Sequence, residues 1–141
     1  MLKKLVLLAA VALINSSSAI AAAGGCHDIS GGYVQEFVPC AGAGLACVDA
    51  DLTGDLHGVS HTVITTFDPI TRAFTGDVTI VRDNGSVITA TIEGIGGSNV
   101  GYETITGGNR QYAGATGTIV ATGTNVGTYA GRICLARNGN D

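Results

Sequence analysis

Hydrophobic residues are arranged in two ways along this chain. Residues 5–14 form an unbroken apolar run. Beyond residue 24 the apolar positions spread out, and Val, Ile, Thr and Tyr interleave with Gly and polar residues. Such interleaving is the pattern of short strands joined by tight turns. A first strand is predicted over 33–38 and stopped by Pro39, which cannot donate to a ladder. Residues 40–50, mostly small, are expected to form a loop. Residues 56–67, rich in Val, Ile and Thr, predict a long strand that ends at the turn signal Asp68-Pro69.

The best-determined piece is a hairpin, with residues 73–82 and 86–93 flanking Asp83-Asn84-Gly85. A two-residue turn would pair Ile80 with Thr89. A three-residue loop, with Gly85 left-handed, pairs Ile80 with Ile88, Val78 with Ala90 and Gly76 with Ile92. Only the second register puts Phe74, Val78, Ile80, Ile88, Ala90 and Ile92 on one face, because a one-residue slip turns every side chain over. After a turn at 94–99, strands are predicted over 102–106, 111–122 and 126–135. Tyr129, Ile133 and Leu135 share a face of the last. The tail from Ala136 is polar and is expected to fray.

These elements make an all-β fold of seven or eight antiparallel strands. A small closed barrel or a two-sheet β-sandwich accommodates them. Closure removes sheet edges, which suits strands with little charge to guard them. The small alternating residues Ala113, Ala115, Gly117 and Ala121 suit a barrel wall that curves tightly or leaves space inside.

The early apolar run has a different meaning. Lys3 and Lys4 precede it, Asn15 and three serines end it, and Ala19-Ile20-Ala21 follows. A charged start, a short apolar centre and small residues form the layout of a cleavable signal peptide, taken as residues 1–23. Ten apolar residues fall short of the ~20 that span hydrocarbon. The mature part, 24–141, is then a single domain, secreted or periplasmic, without a membrane anchor; the signal has a bacterial look. All 22 glycines lie in it. Both lysines are lost with the signal, so five arginines face eleven acids, which leaves no footprint for nucleic acid.

Cys26, Cys40, Cys47 and Cys134 are an even set in an exported small domain and read as two disulfides. No Cys-x-x-Cys pair favours zinc. Three pairings are open. The expected one closes a local loop with Cys40–Cys47 and ties the ends with Cys26–Cys134.

Thr106-Gly107-Gly108-Asn109-Arg110-Gln111-Tyr112-Ala113-Gly114-Ala115-Thr116-Gly117 resembles a signature of the allene oxide cyclase-like and dirigent-like barrels, roughly Gly-Gly-Thr-Gly-x-Phe-x-x-Ala-x-Gly. Gly107, Gly108, Tyr112, Ala115 and Gly117 match it, whereas Asn109 and Arg110 depart from it. The stretch 124–132 is similar to the last hairpin of these barrels, so the likeness covers about 30 residues. It implies an antiparallel eight-stranded barrel around an apolar cavity, in a family where some members cyclise or steer reactive small molecules. None of the family's catalytic residues maps onto this chain.

No catalytic motif stands out: there is no phosphate loop and no Gly-x-Ser-x-Gly elbow. Asp55, His57 and His61 share parity. On a strand the two histidines lie about 13 Å apart, too far for one ion, whereas Asp55 and His57 at ~6.6 Å are within reach of an oriented base. Tyr102 and Tyr129 are candidates to stack on a ligand in a barrel interior, and Glu103 to present a carboxyl there with a raised pKa. His57, Tyr102, Glu103 and Tyr129 are therefore the ligand-binding candidates. No metal or cofactor is called for. The expected partner is a small apolar molecule, with isomerase or cyclase chemistry in the cavity as one alternative and a solidly packed structural barrel as another. An ionisable residue at the bottom of an open cavity would favour the enzyme.

Overall fold

The computed structural model describes residues 25–136, so the proposed signal segment and the polar tail lie outside the described residues. Eight strands form one closed antiparallel barrel, each paired to the next in sequence and the last to the first. They are β1 Cys26–Val38, β2 Ala46–Leu52, β3 Gly58–Phe67, β4 Ala73–Arg82, β5 Val87–Ile95, β6 Val100–Gly108, β7 Thr116–Gly123 and β8 Val126–Cys134. Closure decides for the barrel over the sandwich. Two single-turn 3-10 segments, Gly54–Leu56 and Arg110–Tyr112, lie at one end.

The β4–β5 hairpin has the expected register: Ile80 faces Ile88, Val78 faces Ala90 and Gly76 faces Ile92. The backbone N–H of Arg82 donates to the Ser86 carbonyl, which closes a three-residue loop. Gly85 sits there at φ 83°, a conformation glycine adopts without the Cβ penalty of other residues.

Three expectations are corrected. The segment 40–50 is not all loop, because β2 begins at Ala46 and places Ala46, Val48, Ala50 and Leu52 inward. β1 starts at Cys26 rather than Tyr33, since a 13-residue strand is needed to pair with both β2 and β8. Residues 111–115 are turn, and β7 begins only at Thr116.

The barrel has a closed and an open end. At the closed end Ile29, Val78, Ile80, Ile88, Ile105 and Ile133 pack with the buried rings of Tyr112 and Tyr129. Leu56, only 3% exposed, enters this cluster from the 53–57 turn. The Tyr129 hydroxyl holds that turn: it accepts the Leu56 N–H at 2.8 Å and donates to the Thr53 carbonyl at 2.6 Å. Arg82 completes the seal, donating to the Tyr112 hydroxyl and to the Asp55 carbonyl.

Two disulfides, Cys26–Cys134 and Cys40–Cys47, brace the ends. The first joins residues directly opposite one another on β1 and β8, where the barrel closes on itself. The second ties the loop after Pro39 onto β2 at the open end. Both fit a protein that folds in an oxidising compartment.

Candidate functional site

Above the packed end the inward positions no longer fill the barrel. A cavity of about 540 Å³ remains, reaching from a floor at Leu56, Ile80 and Tyr129 to the open-end turns 96–99 and 124–125. Its walls are mainly apolar, with Val48, Ile64, Phe74 and Ile92 among them. Phe37 and Phe67 stand at the mouth, 78% and 49% exposed. The small residues of β7 leave room as expected, because Ala121 and Gly123 line the void without filling it.

Of the described residues, one charged side chain lines this space, Glu103 on β6. In register it lies between Ile92 of β5 and Ile119 of β7, both also inward. Among the described residues no N–H or O–H donates to its carboxyl. It is partly accessible through the cavity, yet protein surrounds it on nearly every side, and this burial pushes its pKa from 4.5 up to about 7. At neutral pH it is therefore poised between its acid and its carboxylate.

Tyr33 of β1 shares this environment. It is 7% exposed and lines the cavity, and burial together with the Glu103 charge raises its pKa. Its ring lies across Gly127 of β8, where an added Cβ would collide with the Tyr33 ring carbon Cζ. Gly127 thus makes the ring's position possible. The remaining polar lining includes Gln35, Thr62, Asn99 and Asn125.

The four sequence candidates separate. Glu103 and Tyr129 line the cavity. Tyr129, however, uses its hydroxyl to hold the 53–57 turn, so it forms floor more than contact. Tyr102 points outward and is 53% exposed, as it must beside an inward Glu103 on a pleated strand. His57 lies outside the cavity at the closed end, its Nδ1 2.8 Å from an Asp83 carboxylate oxygen.

The suggested Asp55–His57 pair does not form. Both residues lie in the 53–57 turn rather than on a strand, and the Asp55 carboxylate accepts the Ser30 N–H. His61 faces outward against Asp49, directly opposite it on β2. Among the described residues, no three His, Cys, Asp or Glu groups come together as a metal site. Gln35 and Phe37 are cavity residues that the sequence candidates omit. Their alternation on β1 is the signal that finds them, once the inward parity of Ile29 and Tyr33 is known.

No family model and no curated protein matches this chain. Among solved structures, the pterocarpan synthase dirigent protein superposes with a TM-score of 0.55. The alignment covers 81% of this chain and 86% of that one. The fold is dirigent-like. At 16% identity the likeness speaks for the barrel and not for its chemistry. It agrees with the signature at Gly108 and Gly117, where an added Cβ would strike the carbonyls of Val87 and Arg132 on the neighbouring strands.

Proposed function

We propose that this protein is an exported carrier or receptor that binds one small, mainly apolar molecule in the open half of the barrel. The observation that carries the reading is a cavity of about 540 Å³, apolar on most sides, with one buried carboxyl in its wall. That volume lies within the range of ligand pockets, which are lined by apolar groups with a few placed polar ones. The two disulfides support an exported, secreted or periplasmic setting. The direct test is intact mass of the protein purified from its natural compartment, first native and then denatured. A discrete small-molecule increment lost on denaturation is the expected result. A barrel with no increment that also fails to take up an apolar fluorescent probe refutes the reading.

A second reading follows from Glu103 alone. A carboxyl with a pKa of about 7 is matched to moving protons at neutral pH, as an isomerase or cyclase would need. The resemblance to allene oxide cyclase-like and dirigent-like barrels supports it to the extent that some of them steer reactive intermediates. A Glu103→Gln variant would then bind the substrate and fail to convert it. Equal turnover by both proteins excludes this role.

A further inference from the structure

The chemistry inside the cavity narrows the class of ligand. Glu103 has no counter-charge among the described residues. Of the strands packed around it, β5 presents Ile92, β7 presents Ile119, β1 presents Tyr33 and β8 presents Tyr129, whose hydroxyl is engaged elsewhere. Tyr33 is the titratable group that shares the field of Glu103. No described arginine lines the cavity: Arg82 is at the closed end with its Nε buried, Arg110 is at the same end, Arg132 is on the outer wall opposite Asp28, and Arg72 is on the rim over Gly97. Inside the cavity, below the rim, a carboxylate or phosphate group would meet an acid and no cation.

A wholly neutral ligand would also leave a difficulty. Filling the cavity drives out the water that solvates the Glu103 carboxylate, so with a neutral ligand the group must take up a proton or bury an unpaired charge, a cost that grows as pH rises above its pKa of about 7. A ligand cation removes that cost by forming a charge-assisted hydrogen bond, about twice as strong as a neutral one. The rings of Tyr33, Phe37, Phe67 and Phe74 offer π faces on the way in, which attract cations. The excess of acids over bases in the chain favours cations at longer range.

We infer that the cavity takes an organic amine, with its ammonium group seated on Glu103 and an apolar body running along the walls toward the mouth. The inference rests on the binding reading above and adds the chemical class. Its test uses the full mature protein with both disulfides formed. The neutral fluorophore N-phenyl-1-naphthylamine reports occupancy. Decylamine, decan-1-ol and decanoate, each below its micelle concentration, compete for it with the same tail and different heads. At pH 8 decylamine is expected to displace the fluorophore at a concentration about tenfold lower than decanol, the effect of one added charge-assisted pair, with decanoate weakest. The preference for amine should collapse at pH 5, where Glu103 is protonated. Glu103→Gln should take up the neutral fluorophore at pH 8 at least as tightly as the parent, because it has no carboxylate to desolvate, and should treat decylamine and decanol alike.

Fluorophore binding without amine preference, or a preference that survives Glu103→Gln, overturns the inference and leaves the cavity reading standing. Failure of the fluorophore and all three competitors to bind overturns both.

Discussion

Replacing Glu103 with Gln should remove a large part of the barrel's pH dependence between pH 5 and 8. The carboxyl has its ordinary pKa of 4.5 in the unfolded chain and one of about 7 in the barrel. Below 4.5 it is neutral in both states and the barrel carries no penalty. As pH rises the unfolded chain ionises first, and folding must then keep a proton on the carboxyl or bury its charge. The stability that depends on Glu103 is therefore highest below pH 4.5 and is lost progressively as pH passes through 7. A gap of about 2.5 pH units, at ~1.36 kcal/mol each, sets the full loss near 3 kcal/mol, an upper value because the cavity admits some water. The amide of the Glu103→Gln variant does not titrate and carries none of it. Urea unfolding at pH 5, 6, 7 and 8 measures the difference between the two proteins. Most of the loss falls in that window, so with a denaturant slope of ~2 kcal/mol per molar the parent's midpoint should fall relative to the variant by ~1.2 M. The pairs His57–Asp83 and His61–Asp49 are common to both proteins and cancel in the comparison. A difference that stays constant with pH would mean that Glu103 is hydrated as at a surface and is not buried in the cavity wall.

Three further outcomes follow from the packing. The Cys26–Cys134 bridge spans 108 residues and Cys40–Cys47 spans 7, so replacing the first pair with Ser should lower stability by about 5 kcal/mol and the second by about 2 in urea titrations; equal losses would contradict the loop-closure account. Tyr129→Phe strips the partner from the buried Leu56 N–H, an expected loss of about 1–3 kcal/mol, with amide exchange quickening first across residues 53–57. Unchanged exchange there would show that the hydroxyl does not hold the turn. Gly127→Ala drives a Cβ into the Thr122 carbonyl oxygen and the Tyr33 ring, well inside van der Waals contact. It should lower the thermal midpoint by an amount equivalent to about 1–3 kcal/mol and weaken fluorophore binding as the ring shifts into the cavity; a neutral substitution would place Tyr33 elsewhere.

What the sequence reveals depends on contrast between neighbouring positions. The β4–β5 hairpin is legible because three signals agree: Gly85 in the turn, apolar residues at Val78, Ile80, Ile88 and Ile92, and threonines between them. β2 is not, because Ala46, Cys47, Val48 and Ala50 show almost no inside–outside contrast; the disulfide loop covers Cys47 on the outer face, leaving it 2% exposed like a core residue. The end of the turn at 53–57 reads as strand because its Leu56 is apolar for a different reason, as a plug held by Tyr129.

Tyr102 and Glu103 show the same limit at the site itself. Adjacent residues on a strand cannot both line a barrel, so naming both as cavity candidates leaves the decisive choice unmade. Composition of β6 does not decide, since Val100 and Tyr102 share one face with Thr104 and Thr106, and Ile105 shares the other with Gly101, Glu103 and Gly107. Register settles it. Ile92 faces inward by the hairpin argument, and whatever pairs with Ile92 on the next strand shares its face. That residue is Glu103, through a pairing set by the 96–99 turn, which carries too little sequence signal to count in advance. The choice changes the chemistry of the cavity. With Tyr102 inside, the cavity would be neutral; with Glu103 inside, it carries one acid and, among the described residues, no base.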